Sequence, residues 1–226
     1  MKHMVELTTK TMGFIGGTGA EGAGLALRYA HAGFKVAIGS RRLERAAETA
    51  ASINQRVGTT LASPHENYAA AEHADVVFVT VPYEGIQETL AALSDAIASK
   101  VLITAVVPLR FQNGRPLARQ VAAGSATQEA QQTLPQARVI GAFHHLGAKH
   151  LADLSHPIEG DILVCGDDDE AKNLSLQLIE QLKNLRAIDA GGLMYAQYLE
   201  NFTAVLLSMN RKYKAQSGLR ISGLEK

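Results

Sequence analysis

Three glycines in the pattern Gly17-x-Gly19-x-x-Gly22 are followed about 20 residues later by Ser40-Arg41-Arg42 and, one helical turn further on, Arg45. The chemistry these types and spacings suit is the binding of anions. Glycines allow a tight turn and a close approach of backbone to a pyrophosphate, and the free N–H groups of a helix that starts there face the phosphates. At the second position, dinucleotide sites that take NAD usually hold an acidic residue for the ribose hydroxyls. Here Ser40 can donate a hydroxyl hydrogen bond, Arg41 can form a charge-assisted fork, and Arg45 can close over the same anion. A carboxylate is missing and a phosphate ligand is present, so the pattern reads as NADP rather than NAD. Arg42 is expected to face solvent. Taken alone, the basic run could equally be a solvated helix face; the glycines before it decide against that.

These residues need a strand before the glycines, a helix after them and a second strand ending at Ser40. The chain supplies all three. "MGFIGG" (12–17) runs into "GGTGAEGAG" and then "LALRYAHAG", and "FKVAIGS" (34–40) follows. Further apolar runs rich in β-branched residues read as strands at 59–62, 75–81, 100–107, 138–145, 161–166 and 186–191. Helical spacing fills 20–32, 42–55, 64–72, 84–98, 116–133, 168–184 and 192–213. Strands at 75–81 and 100–107 are almost wholly apolar, as in a parallel sheet covered on both faces. The expected fold is α/β, a doubly wound (Rossmann-type), mostly parallel sheet with a C-terminal helical extension. One domain is expected over 1–226, with a dinucleotide-binding core over 10–190. In the extension, 191–226, Leu193, Ala196, Leu199, Phe202, Leu206 and Met209 form an apolar face that meets the chain's own sheet, a substrate pocket or a second subunit.

Two other strand ends should open on the same crevice. Tyr83, after Pro82, could lie beside the ribose or adenine, and the backbone of Val107, before Pro108, could line a nicotinamide pocket; alternatively, each proline only ends its strand.

Composition excludes several classes. Lysine plus arginine and aspartate plus glutamate are 22 each, so no overall field favours nucleic acid or an anionic membrane. Neither a signal-peptide pattern nor an apolar run long enough to span a bilayer is present, and Cys165 is the lone cysteine, so a cytoplasmic location is expected. His144, His145, His150 and His156 lie close in sequence but none is paired at i, i+4, and no metal site is expected. The run Asp167-Asp168-Asp169-Glu170 reads as a helix cap. With no nucleophile motif either, no catalytic side chain is expected.

The segments "GGTGAEGAGLALRYAHAGFKVAIGSRRLERA", "VPYEGIQETL", "AFHHLGAKHLADL", "EGDILVCGDDDEAK" and "LRAIDAGGL…LENFTAVLLSMNR" together resemble the NADPH-dependent reductases of the 8-hydroxy-5-deazaflavin coenzyme F420. The resemblance spans Met12 to about Arg211. It implies hydride transfer between C4 of the nicotinamide of NADP(H) and C5 of coenzyme F420, with the rings stacked in one cleft. It also implies that Thr18, Gly19, Ala20 and Glu21 hold the pyrophosphate and that Ser40, Arg41 and Arg45 hold the 2′-phosphate. By the same resemblance, the backbone of Ala148 meets the carboxamide, while His144 and Leu146 meet the deazaflavin. Such chemistry needs approach and orientation more than a general acid or base. The double histidine and Gly147 depart from the Thr and Pro of other members, and the chain after Lys214 aligns poorly. A homodimer through the C-terminal helix is expected. Two alternatives stay open: an NADP-linked dehydrogenase of a small hydroxy acid or imine, and a non-catalytic NADPH-sensing module.

Overall fold

The first two strands and the helix between them form where the glycine loop requires them. In the computed structural model, which describes residues 7–224, β1 (Thr11–Ile15) leads through the loop into α1 (Ala20–His31), and the chain returns as β2 (Lys35–Ser40). The same alternation continues through α2 (Leu43–Val57), β3 (Ala62–Glu66), α3 (Asn67–His73), β4 (Val76–Val79), α4 (Ile86–Ala91), α5 (Ser94–Ile97) and β5 (Val101–Thr104). After a hairpin, β6 (Leu109–Gln112) and β7 (Arg115–Ala118), come α6 (Ala126–Thr133), β8 (Arg138–Gly141) and α7 (Ala148–Ala152). The remaining elements are β9 (Gly160–Val164), α8 (Asp169–Glu180), β10 (Leu185–Asp189) and α9 (Ala196–Tyr213).

Six strands pair in parallel in the order β3-β2-β1-β4-β5-β8. The chain leaves β1 toward β2 and β3, then crosses back to β4 and β5, which puts a crevice at the carboxyl end of β1. Side chains alternate between the faces with period two. Phe14, Phe78, Ile103 and Ile140 meet α1, α2 and α8 on one side, while Ile15, Val77, Leu102 and Val139 meet α3 to α6 on the other. This two-sided burial explains why the central strands carry almost no polar residues.

Several boundaries differ from those expected. The third strand and the helix after it start later, at Ala62 and Asn67, because the Asn54 side chain accepts from the amides of Leu61 and Ala62 and holds 58–61 as a turn. Pro64 is tolerated in β3 because that strand is at the sheet's edge. The helix expected over 84–98 is broken into a short 3₁₀ turn, α4 and α5. The one expected over 116–133 is replaced at its start by the β6-β7 hairpin, whose turn is Asn113-Gly114 with φ of 51° and 70°. Asn-Gly is a strong hairpin signal, and it outweighs the helical spacing that follows it. The helix proper waits for the Ser125 cap, whose side chain accepts from the Gln128 amide. β9 and β10 pair only with each other and join the main sheet through one bridge, Gly141 to Cys165.

Candidate functional site

The loop after β1 is built by glycines that admit no substitute. Gly16 has φ of 75°, and a Cβ on Gly22 would run into Thr80 Oγ1 at the end of β4. A Cβ on Gly24 would lie 2.6 Å from Leu151 Cβ, so α1 packs directly against both the sheet and α7. Gly19 is the N-cap of α1 and no side chain caps that helix. Its first-turn amides, at Ala20 and Glu21, are therefore available to an anion.

Ser40 is buried at the end of β2, and its Oγ accepts from the amide of Arg42 at 3.2 Å, which leaves its own O–H to donate. Arg41, Arg42 and Arg45 are exposed around it, and among the described residues none of these three guanidinium groups has a hydrogen-bond or ion-pair partner. Arg42, expected to face solvent, is exposed but also stands on the rim of the cleft.

All of these residues line one cleft of about 1190 Å³. Thr18, Gly19, Ala20 and Glu21 form its floor at the helix start; Ser40, Arg41 and Arg45 close one end; Tyr83, Val107, His144, Leu146 and Ala148 line the rest. The residues expected to contact the two cofactors thus reach the same cavity, whereas Gly17 and Gly22 of the glycine pattern do not line it. The sheet order explains how: the ends of β2, β1, β4, β5 and β8 lie side by side. Tyr83 is further fixed by the Arg119 guanidinium, 5.2 Å above its ring, and burial and the nearby Glu129 push its hydroxyl up from the ordinary tyrosine value.

The segment after β8 turns through Phe143, a buried residue with φ of 67°. A bulky side chain rarely adopts that conformation, and the packing around it must hold it there. The turn delivers His144 to the cleft wall, 3% exposed, with neither ring nitrogen hydrogen-bonded in the chain. Burial, aided by His145, pushes the His144 imidazole down to about 3, so the ring is neutral and offers one donor and one acceptor. His145 turns the other way, its Nε2 2.7 Å from the Asp161 carbonyl. His156 pairs with Asp153, and the Asp168 carboxylate caps α8 through the Ala171 amide.

The wall that α9 provides is one of the roles the sequence leaves open for that helix, but the sequence does not single out the residues that form it. Thr203 and Leu207 line the cleft, and Thr203 Oγ1 donates to the His144 carbonyl at 2.8 Å. Of the expected apolar face of α9, Leu193, Ala196 and Leu206 are buried and Leu199 is half-buried, while Phe202 and Met209 are exposed. Glu200 is buried as well, because its carboxylate accepts from the amides of Ala126 and Thr127 and from Thr127 Oγ1 at the start of α6. Asn67, whose Oδ1 faces the Gly16 amide at 3.5 Å, also lines the cleft and carried no signal in the sequence.

Glu21 carries a feature of its own. Its carboxyl lines the cleft half-buried, has no hydrogen-bond or ion-pair partner among the described residues, and is pushed up by burial to about 8.

Comparison with known proteins adds four findings. Residues 11–108 match the family model described as NADP oxidoreductase, coenzyme F420-dependent. The chain is 37% identical over 218 residues to the F420-dependent NADP reductase of Methanocaldococcus jannaschii, covering 93% of this chain and 97% of the relative. It is 38% identical over 218 residues, with the same coverage, to the F420-dependent NADP reductase of Methanothermobacter marburgensis. Among solved structures, an Arthrobacter protein assigned as an F420-dependent NADP reductase superposes with a TM-score of 0.80 at 23% identity, covering 94% of this chain and 99% of that one. This last likeness speaks to the fold.

Proposed function

Because this chain belongs to the family of F420-dependent NADP reductases, whose reaction is hydride transfer between NADP(H) and coenzyme F420, we propose a specific seating for the two substrates in its cleft. The 2′-phosphate is held by Ser40, Arg41 and Arg45, and the pyrophosphate by the turn from Thr18 to Glu21. The nicotinamide then lies toward Val107 and Ala148, and the deazaflavin against His144 and Leu146. The observation that carries this reading is the cleft itself, which has three unpartnered guanidinium groups at one end and orphaned His144 nitrogens at the other. The first suit a phosphate; the second suit a planar heterocycle that both donates and accepts.

When bound, the dihydronicotinamide supplies the hydride and the deazaflavin accepts it at C5. The protein's own part is to bind and orient. Uncapped amides of α1 fix the dinucleotide's middle, the arginines fix one end, and Val106, Val107 and Leu207 exclude water from the apolar half. His144, neutral at any physiological pH, can hold a ring by hydrogen bonds without exchanging protons. Thr203, on α9, holds the backbone of that histidine.

The extension 191–226 is read as part of a single domain, since α9 completes the cleft wall. Its exposed face bears Tyr195, Tyr198, Phe202, Val205 and Met209 at spacings of three and four. That exposed apolar stripe, suited to cover by a second copy of the chain, supports the homodimer, and the lone buried Cys165 supports a cytoplasmic setting. Among the described residues no helix is long and apolar enough to cross a membrane.

Mixing purified protein with NADPH and oxidised F420, and following loss of the oxidised chromophore, tests the reaction; NADH in parallel tests the phosphate seating. Turnover with NADPH and little with NADH is expected. Equal use of both would refute the assignment of Ser40, Arg41 and Arg45. Light scattering at a monomer mass would refute the dimer.

A further inference from the structure

Glu21 is a carboxyl group that phosphate binding does not require and that, if charged, would oppose it. It sits in the first turn of α1. Residues 21, 24 and 28 share one face of that helix. On this face Gly24 abuts Leu151, and the Arg28 guanidinium donates to the carbonyls of His150, Leu151, Asp153 and His156. The face therefore looks onto α7 and the 144–148 segment that leads into it. Glu21 is one of the residues that line the cleft, and its place on this face of the helix turns it toward Val107, His144, Leu146 and Ala148 rather than toward the arginines beyond β2.

The sheet order fixes which half of a dinucleotide this is. β2, with Ser40 and Arg41 at its end, lies on one side of β1, and β4, β5 and β8 lie on the other. With the 2′-phosphate over β2 and the pyrophosphate at the β1–α1 turn, the nicotinamide end extends to Val107 and the 144–148 segment. Resting on that seating of NADP(H), we propose that Glu21 is the group whose proton is coupled to the redox state of the nicotinamide, a neutral acid beside the dihydronicotinamide and a carboxylate beside the nicotinamide cation.

The step balances as follows. NADPH, oxidised deazaflavin and one proton give NADP⁺ and reduced deazaflavin. The nicotinamide C4–H bond breaks with its electron pair and a C5–H bond forms on the deazaflavin, so the nicotinamide ring becomes positive. The Glu21 O–H bond breaks to leave a carboxylate beside that charge. Its proton passes to water at the cleft mouth, from which the reduced deazaflavin takes one up, and Glu21 is reprotonated when NADP⁺ leaves.

An opposite charge favours the ionised form of an acid and a low dielectric favours the neutral one, so a carboxyl without protein partners responds strongly to such a change. Burial, which pushes this carboxyl up to about 8, sets the response in the neutral range. Other groups face the same space from each neighbouring element. From β2–α2 come Arg41, Arg42 and Arg45. From the β4–α4 turn come Tyr83, pushed up, and Glu84, which pairs with Arg119 at the exposed rim. After β8 comes His144, pushed down to about 3. α7 carries Lys149 and His150, neither of which lines the cleft, and α9 offers only Thr203 and Leu207.

NADP⁺ and NADPH carry the same phosphates, so the ratio of their dissociation constants cancels every effect on those groups. The constants are measured by calorimetry from about pH 6 to pH 9 for the wild type, Glu21→Gln and His150→Gln. In the wild type, the ratio of the NADP⁺ to the NADPH constant should fall by up to about tenfold per pH unit. NADP⁺ binding should release close to one proton near neutrality, read from the dependence of the heat on buffer ionisation enthalpy. Glu21→Gln should give a flat ratio and no release, and His150→Gln should behave as the wild type. A flat ratio in the wild type, a slope that survives Glu21→Gln, or one abolished by His150→Gln would overturn the proposal. Parallel weakening of both forms with rising pH, relieved by Glu21→Gln, would overturn it by showing that the carboxylate acts on the phosphates. If neither form binds at any pH, the seating itself is wrong and the proposal falls with it.

Discussion

Removing the Glu200 carboxylate should loosen the buried joint that ties α9, and with it the cleft wall, to the start of α6. Glu200 is 1% exposed and accepts from the Ala126 amide at 2.8 Å, the Thr127 amide at 2.9 Å and the Thr127 hydroxyl at 2.7 Å. Ser125 takes the next amide, that of Gln128, so this carboxylate and one hydroxyl together satisfy the first turn of α6. In Glu200→Ala the hydroxyl can rotate to another acceptor, but the two amides cannot. Each buried donor left unpaired costs about 1–3 kcal/mol, and water entering the vacated space offsets some of this, so a net loss of about 3–4 kcal/mol is expected. At an m-value of roughly 3 kcal/mol/M, the urea midpoint should fall by about 1 M. Glu200→Gln, which keeps one acceptor but turns an N–H₂ group toward a donor, should lose about half as much. Because α9 carries Thr203 and Leu207 into the cleft, the KM for the deazaflavin should rise severalfold in the alanine variant at a temperature where it stays folded. A stability loss under about 1 kcal/mol together with an unchanged deazaflavin KM would refute the idea that Glu200 anchors this wall.

Three further outcomes are expected. Arg41→Ala removes one charge-assisted contact worth about 1.5–3 kcal/mol and should weaken NADPH by roughly 10- to 150-fold while leaving NADH nearly untouched in equilibrium titrations; equal losses would mean that Arg41 does not read the phosphate. His144→Asn should raise the deazaflavin KM more than it lowers kcat, because an imidazole held near 3 has no proton to give at neutral pH; a kcat loss above about 10²-fold with binding intact would show acid–base work. Arg186, hydrogen-bonded to Asp161, holds that buried carboxyl below the usual carboxylate value, and Asp161 also accepts from the Ile221 amide. The resulting stability is present above about pH 4 and fades as pH falls through the lower folded value, so Asp161→Asn should cost about 2–3 kcal/mol at pH 7, with its melting curve converging on the wild type in acid. A constant gap at every pH would contradict that linkage.

Much of this protein is local and therefore legible in the chain. The order of turn glycines, helix and second strand is set by backbone sterics over a few residues, and the exchange of an acid for Ser40 and Arg41 is a matter of residue type at one position. Alternation of apolar strands with helices also survives translation into structure, because each face of β4 and β5 must be covered whatever the details. What the chain alone could not decide is orientation and environment. The apolar face of α9 is legible in part, with Leu193, Ala196 and Leu206 buried, but the burial of Glu200 is not, because Leu, Phe and Met at helical spacing outweigh a single glutamate in any hydrophobic pattern. In the folded protein the free amides at the start of α6, more than 70 residues away in sequence, turn that glutamate inward. The Asn113-Gly114 hairpin is a local signal that the helical spacing after it hides, but its position against α9, where Arg211 donates to the Gly114 carbonyl, is tertiary. Asn67 and Thr203 enter the cleft only because the sheet brings separate strand ends together. The properties of His144 and Glu21 belong to no stretch of sequence at all: one has its ring nitrogens stripped of partners and the other its carboxyl stripped of solvent, by walls contributed from both halves of the fold. Desolvation depends on everything within a few ångströms, and only the folded chain specifies what that is.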